Sequence, residues 1–244
     1  MKPIKFLFPL ALILNTDLIL ANSERSIGVL VNESSSIYLD TNKDTVFAPF
    51  LSYDSDTFFI KQRSIGYHLT SYLDASIAYK DNFFDPDDST NADMQLLDRR
   101  KGGVYAKGSV RASIFNATIE QDISGRHDGY SIQAGVQLPL YSALEAPLIV
   151  RGSIDYIYMD EQMSEYLYSV SASESARTSG KIANFSIKDT TAIKYGLRTI
   201  SPITNNLNIV TILNYVRYSD EVDSSPIVSK NYNYSGTILA NYTF

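Results

Sequence analysis

The sequence has no cysteine, no tryptophan and only two histidines among its 244 residues. Without cysteine the chain has no disulfide, no cysteine-ligated metal and no thiol nucleophile, so strand pairing and packing must supply its stability. Basic residues are in the minority, and the net charge of −6 argues against nucleic acid as a partner, because such binding needs a basic face. After the N-terminus, no apolar run is long enough to cross a bilayer as a helix.

The first residues are typical of an export signal. Lys2 and Lys5 precede the apolar run Phe6–Leu14. This run is too short to span a bilayer but suits the core of a signal peptide. Ala21 is a small residue at a suitable cleavage point. We therefore predict a cleaved signal peptide over residues 1–21 and one exported domain over residues 22–244. An uncleaved membrane anchor is the alternative.

The rest of the chain is rich in tyrosine, with 18 such residues, and its pattern has a period of two. Alternating apolar and polar residues indicate strands with two different faces, and tyrosine suits both strands and the headgroup level of a membrane. We interpret residues 57–69 as two short strands with a tight turn. The whole chain gives about twelve strands, with ten as the alternative. The alternation is clearest over residues 103–114, 129–140, 148–158, 191–199 and 234–244.

The connectors between these strands alternate in length, as in outer-membrane barrels. Short turns are predicted near Tyr53–Asp56, Phe115–Asn116, Tyr141–Ala146 and Pro202–Asn206. Long loops are predicted over residues 82–102, 160–188 and 219–232. The predicted fold is therefore all-β: a transmembrane antiparallel up-and-down barrel with short periplasmic turns and long outer loops, located in the outer membrane of a Gram-negative bacterium.

A soluble barrel or sandwich shows the same alternation with its apolar face inward. Three features favour the membrane barrel: the export signal, a last strand that ends in Phe244 like the terminal strands read by the outer-membrane assembly machinery, and charges of both signs on the polar faces. An inverted barrel places such charges in its lumen, where neighbouring strands could pair them, for instance Arg111 with Glu120. The charged positions are Asp74, Lys80, Lys107, Arg111, Glu120, Asp122, Arg151, Asp155, Lys194 and Arg198.

The two histidines are the first candidates for chemistry. His127 and Asp128 lie in a predicted outer loop, where a water-activating pair at the barrel rim is conceivable. Flanking glycines favour a tight solvated turn instead. His68, beside Tyr67, is expected to be a rim or lumen residue rather than a base. The sequence therefore assigns no catalytic residue.

Serine-rich and aspartate-rich segments are the other candidates. Ser169–Ser179 contains no nucleophile elbow, and Ser171 with Glu174 predicts the capping box of a short helix over the barrel mouth or inside it. Asp85, Asp87 and Asp88 could hold calcium or bridge lipopolysaccharide through divalent ions, but a solvated loop is the preferred interpretation. The sequence thus assigns no cofactor-binding or metal-ligating residue.

Two loops and three shorter segments carry a sequence signature. Tyr166–Gly180 has an aromatic pair followed by Val-Ser-Ala, an acidic residue, Ala-Arg and Ser-Gly, and Asp220–Val228 forms a second motif before the predicted final strand. The shorter segments are Ala48–Phe50, Leu97–Arg99 with Gly102 and Gly103, and Asp122–Gly129. Together these segments resemble the MipA/OmpV family of outer-membrane proteins. Ser169 departs from the family pattern, which usually has glycine there.

The resemblance implies a function as well as a fold. It suggests a non-enzymatic scaffold that brings a periplasmic lytic murein transglycosylase together with a murein synthase, in contact with outer-membrane lipid and lipopolysaccharide. Other members are described as porin-like or adhesive. A channel for small solutes and an adhesin are therefore the alternatives, because fold alone does not fix function.

Overall fold

The computed structural model describes residues 25–41, 44–143 and 148–244, and these form a closed barrel of twelve antiparallel strands. Each strand pairs with its neighbours in the sequence, and the first strand closes the barrel against the last. The predicted class and the higher of the two predicted strand numbers are confirmed. The predicted signal segment lies outside the described residues. The strands are β1 (Arg25–Ser34), β2 (Asp44–Asp54), β3 (Phe58–Lys61), β4 (Ser64–His68), β5 (Leu73–Tyr79), β6 (Val104–Ala112), β7 (Phe115–Asp122), β8 (Tyr130–Ala143), β9 (Leu148–Met159), β10 (Thr190–Pro202), β11 (Leu207–Tyr218) and β12 (Tyr232–Thr243).

The alternating residues of the sequence form a barrel with its apolar side chains outward and many of its polar side chains inward. On β1, Ile27 and Val29 point outward and are 47% and 58% exposed, whereas Ser26 and Asn32 point inward and are almost fully buried. A polar interior with an apolar exterior is the arrangement expected when lipid surrounds the barrel. Pairing between neighbouring strands also satisfies most of the backbone groups, as lipid requires.

The two ends of the barrel differ. The short-turn end holds both described chain ends, the last residues of β8, the first residues of β9 and the connections 55–57, 69–72, 113–114 and 203–206. The long-loop end holds residues 35–41 and the connections 80–103, 123–129, 160–189 and 219–231. It also contains three short helices, α1 (Glu161–Tyr168), α2 (Ala172–Arg177) and α3 (Asp220–Asp223), and 3-10 turns at Pro86–Asp88 and Met94–Leu96. No helix in the described part of the chain is long and apolar enough to cross a bilayer.

The predicted turn at Phe115–Asn116 is wrong by two residues. Ser113 and Ile114 make this turn, and Ser113 adopts a φ of 57°, which is the left-handed conformation that a tight hairpin needs. Phe115 and Asn116 instead begin β7 and pair with β8. The alternation alone did not reveal this, because Ile114 continues the apolar side of β6.

Residues 57–69 form the two predicted short strands, β3 and β4. Because this hairpin is short, it pairs with β2 only over Ser52–Asp54, and no described strand covers the other side of β2 from Asp44 to Phe50. The carbonyl of Leu51 points toward the hairpin, where it accepts a bond from Gln62, so the backbone of Pro49 points to the same side. Proline is therefore located where its missing N–H interrupts no ladder.

Candidate functional site

The long loops fold over and into the barrel mouth and form a packed apolar core, which we call the plug. Met94, Val170, Val222 and Ile227 are completely inaccessible to solvent. They come from three different loops, so the plug is built from segments that are distant in the sequence. Its buried members are Ile37, Tyr38, Phe84, Met94, Leu97, Ile157, Met159, Met163, Leu167, Tyr168, Val170, Ile182, Ile187, Ala192, Val216, Val222 and Ile227.

A buried ion pair fastens two of these loops together. The Nη1 atom of Arg100 lies 2.8 Å from Oε1 of Glu174, and the two side chains are 7% and 3% exposed. Arg100 Nη2 donates to the carbonyl of Ser169, and the amide of Asp98 donates to Glu174. Burial alone would raise the pKa of Glu174, but these bonds and the one from Ser171 hold it below its usual value.

The predicted capping box at the start of α2 is confirmed. The hydroxyl of Ser171 accepts a bond from the amide of Glu174, whose carboxylate accepts the amide of Ser171 in return. Glu174 thus begins the helix and also receives Arg100. Arg100 could not be identified from the sequence, because an arginine in a long loop has no local pattern that distinguishes it from a solvated residue.

Two further hydrogen bonds join α1 to the remaining loops. The hydroxyl of Tyr38 donates to the carbonyl of Leu167, and the hydroxyl of Ser225 donates to the carbonyl of Tyr168 at 2.6 Å. Both acceptors are at the end of α1, where carbonyls have no partner within the helix. These two carbonyls are therefore satisfied by side chains of the neighbouring loops, which ties α1 into the plug.

Below the plug, the lumen contains an apolar cluster and a cavity. The cluster packs against β1, β2 and β10–β12, where Phe50 and Val210 are 2% and 0% exposed. The cavity has a volume of about 840 Å³, and Leu30, Val46, Ala48 and Ile212 of the cluster form part of its lining. We call it the charged cavity. Eight lysines and arginines against five acidic residues give its lining an excess of three positive charges. The charged lining residues are Asp54, Lys61, Arg63, Asp74, Lys80, Asp81, Lys107, Arg111, Glu120, Arg151, Asp155, Lys194 and Arg198.

Ion pairs run along the wall of the charged cavity. Lys80 pairs with Glu120 at 3.0 Å, and Lys194 pairs with Asp155 at 3.4 Å. The predicted pairing of Arg111 with Glu120 is wrong: Glu120 lies opposite Lys107 in the register. Arg111 is opposite Asn116, nearer the short-turn end. It instead binds Asp74 on β5 at 2.5 Å.

His68 is a lumen residue, within the alternatives expected for it. Its Nε2 lies 2.8 Å from Asp54, and its Nδ1 lies 2.6 Å from Asp74. Lys61 also contacts Asp54, and the ring of Phe59 packs against the imidazole. The histidine is therefore held between two carboxylates in a network that joins β2, β3, β4 and β5.

The charged cavity opens at the short-turn end. Ser71, Ser113, Ile114 and Phe115 line it, and all four are exposed residues of the turns or of the strand start beside them. None of the plug residues belongs to the lining. The lumen is therefore closed at the long-loop end and accessible from the opposite one.

His127 and Asp128 form the tight turn that the sequence favoured over a catalytic pair. His127 Nε2 bonds to the hydroxyl of Tyr105 at 2.7 Å, and its Nδ1 accepts the amide of Gly129. Asp122 accepts three successive amides, of residues 126–128, and Asp128 has a φ of 55°. Burial lowers the pKa of His127. The ring therefore orders the turn through Tyr105 and Gly129.

The acidic loop also has a structural partner. Arg99 contacts Asp85 at 2.8 Å and Asp87 at 3.1 Å, with 40% of the arginine side chain exposed. No group of three or more histidine and carboxylate residues that could hold a metal occurs among residues 25–41, 44–143 and 148–244. Two of the three carboxylates that suggested calcium, Asp85 and Asp87, thus contact a guanidinium group.

Comparisons with known proteins cover nearly the whole chain. A protein from Escherichia coli (strain K12) named as an outer membrane protein, YiaT, is 26% identical over 230 residues, which are 91% of this chain and 92% of that protein. The MltA-interacting protein of the same organism is 25% identical over 92% of this chain and 91% of its own. Among solved structures, the CymD monoaromatic hydrocarbon channel aligns with a TM-score of 0.46 at 8% identity over 91% of this chain and 89% of its own. The family model described as MltA-interacting protein MipA matches residues 27–244, and the chain belongs to that family.

Proposed function

We propose that this protein is a non-enzymatic scaffold of the outer membrane that binds periplasmic murein enzymes through its short-turn end. The observation that carries the proposal is the asymmetry of the lumen, which the plug closes at the long-loop end and the charged cavity opens at the other. Short turns face the periplasm in bacterial barrels. The accessible end therefore faces the compartment in which murein is made and cut.

The family supports the same partners. The relative named MltA-interacting protein indicates a murein transglycosylase as one partner, and a murein synthase is the second that we propose. The apolar exterior contacts outer-membrane lipid and lipopolysaccharide. Leu69, Tyr72 and Ile203 offer contacts for a protein, because they are 58%, 63% and 58% exposed in two turns of the short-turn end.

Affinity capture from native envelopes in mild detergent tests this proposal. The wild-type protein should enrich a lytic transglycosylase and a murein synthase, identified by mass spectrometry. A variant with Leu69→Ser, Tyr72→Ser and Ile203→Ser should lose this enrichment. Phe47→Ser is the matched control, because Phe47 is equally exposed but lies on β2 away from the turns. Absence of murein enzymes from the wild-type capture would contradict the scaffold.

A channel for small solutes is the second candidate, because the charged cavity is a polar path through much of the barrel. The two functions differ in conductance. A scaffold with an intact plug should be silent in planar bilayers, since seventeen buried apolar residues separate the charged cavity from the outer side. Steady conductance of the wild-type protein would favour the channel.

A further inference from the structure

The barrel wall has a gap beside β2. The hairpin of β3 and β4 pairs with β2 only over Ser52–Asp54, and at its tip the amide of Gln62 donates to the carbonyl of Leu51. From this bond toward the long-loop end, no strand in the described part of the chain pairs with that edge of β2. Two strands are therefore missing from the wall at this level, and two strand spacings correspond to about 10 Å.

Contacts on the other sides frame the gap. At its lower corner, Arg63 of the hairpin tip contacts Asp81, and the amide of Tyr79 donates to the carbonyl of Arg63. At its top, the loop after β5 reaches the segment before β2, where the amide of Thr90 donates to the carbonyl of Asp40 at 2.9 Å. The gap is thus bounded by β2, the hairpin tip, the end of β5 and the loop that follows β5. We call it the lateral window.

The charged cavity reaches the lateral window from inside. Ala48 on β2, Gln62 at the hairpin tip and Lys80 after β5 all belong to the lining of the cavity. On the outer surface, Phe47 and Tyr79 flank the window and are 62% and 53% exposed. The window therefore lies between a charged lumen and an apolar outer surface.

The unpaired edge of β2 indicates water in the window. Thr45 and Phe47 point their N–H and C=O groups to the same side as Leu51, because alternate residues of an antiparallel strand share a side. Lipid cannot bind these groups, and unpaired backbone at membrane depth is tolerated where it lines a water-filled cavity. Pro49 lies on the same edge and has no N–H, which disfavours the addition of another strand. Water from the charged cavity is therefore the partner that fits this edge.

We propose that the lateral window is a binding site for an amphipathic anion with one hydrocarbon chain, which enters from the bilayer. The chain lies in the lipid against Phe47 and Tyr79, and the head group lies in the charged cavity. The negative charge of the head group matches the lining, which has an excess of three positive charges. The width of about two strand spacings suits a single chain. This inference goes beyond the proposed function and does not depend on it.

Hydrogen exchange of the protein in lipid nanodiscs tests the window itself. The amides of Thr45 and Phe47 should exchange about a hundredfold faster or more than those of Ala48 and Phe50, which face β1 from the same strand. These two amides are the matched control, because they lie at the same depth in the barrel. Equal protection of all four amides would overturn the proposal, since the edge would then be covered or dry.

Fluorescence quenching tests the occupant, because the chain has no tryptophan and a single one can be introduced. Phe47→Trp places this reporter beside the window. Ile154→Trp places it on β9, where the side chain is 52% exposed on the outer surface away from the window. In neutral-detergent micelles, a brominated fatty acid should quench Phe47→Trp in a saturable way, at mole fractions about tenfold below those needed for Ile154→Trp. A brominated fatty alcohol has the same chain without the charge and should quench both reporters alike.

A longer hairpin provides a variant that closes the window. Four residues added at the tip to each of β3 and β4 should pair with β2 as far as Ala48 and abolish the difference between the two reporters. The same addition at the turn of Ser113 and Ile114 is the control, because that turn lies at the short-turn end. If the lengthened chain does not fold, the two reporters in the unlengthened chain decide. Equal quenching of both reporters by the fatty acid, or saturable quenching of Phe47→Trp by the alcohol as well, would overturn the proposal.

Discussion

The plug and the charged cavity both contain buried charges, but the surroundings of these charges differ. In the plug, Arg100 and Glu174 form one pair inside an apolar core. The carbonyl of Ser169 accepts a bond from Arg100, and the amides of Asp98 and Ser171 donate to Glu174. In the charged cavity, thirteen charged side chains line an open volume with an excess of positive charge.

This difference indicates that the plug closes one end of the lumen and that the charged cavity can contact solvent and ligands. A buried pair enclosed by apolar side chains resists separation, because a single remaining charge would be left without solvent. Charges around an accessible cavity keep water and can exchange it for a ligand. A closed sheet of twelve strands therefore does not by itself make a pore. The loops determine which end of the lumen is accessible.

Removal of Arg100 should have the largest effect, because it destabilises the plug without changing the charged cavity. Arg100→Met leaves the Glu174 carboxylate buried without its partner, and breaking such a pair costs about 3–5 kcal/mol. Amide hydrogen exchange over residues 80–103 and 160–189 should become about a hundredfold faster or more, and planar bilayers should show openings. The strands should keep their protection, because the ladders do not involve this pair.

The neighbouring arginine provides the control. Arg99→Met removes a pair that is 40% exposed on the arginine side and contacts Asp87, which is 80% exposed. Surface pairs of this kind contribute about 0–1 kcal/mol, so plug exchange should change little. Equal effects of the two variants would show that the buried pair does not hold the plug.

Truncating a side chain of the apolar cluster should destabilise the barrel less than loss of Arg100 and should leave the plug in place. Phe50→Ala removes a side chain that is 2% exposed in the apolar cluster beside the charged cavity, at a cost of about 3 kcal/mol. Phe47→Ala on the same strand changes a side chain that is 62% exposed on the outer surface and should cost less. Heat-dependent mobility of the folded barrel in gels measures both. If the two midpoints fall equally, the inward cluster does not stabilise the barrel.

Much of the fold could be predicted from the sequence, because every strand of a barrel in lipid alternates apolar outward residues with inward residues. Over residues 148–158, the alternation assigned Ile154 outward and Asp155 inward without knowledge of the neighbours, and the structure has them so. The capping box of Ser171 and Glu174 was also predictable, since it depends on residues three positions apart.

The pairing partners were harder to predict. Register depends on where each turn begins, and the two-residue error at Ser113 shifts every assignment on the following strand. Arg111 was matched with Glu120 on the following strand β7, whereas its ion-pair partner Asp74 lies on the preceding strand β5. Arg100 was missed for a related reason: its partner Glu174 is 74 residues away, and only the assembled plug brings them together.

Acid should loosen the plug through Glu174, with a smaller effect than loss of Arg100. The pKa of this carboxyl is lowered: burial opposes ionisation, but the bonds from Arg100 and two amides outweigh it. A lowered pKa means that the ionised form stabilises the fold. This contribution is fully present above the ordinary value of about 4.5 and is lost as the pH falls through the lower folded value.

Hydrogen exchange of the amides of Asp98 and Ser171, which both donate to Glu174, measures this effect. In the wild-type protein their protection should decrease below pH 4.5, after correction for the intrinsic exchange rate. Glu174→Gln cannot ionise, so it should be less protected at pH 7 and should converge with the wild type in acid. If protection in the wild type and in Glu174→Gln changes in parallel from pH 7 to pH 3, the Glu174 charge does not stabilise the plug.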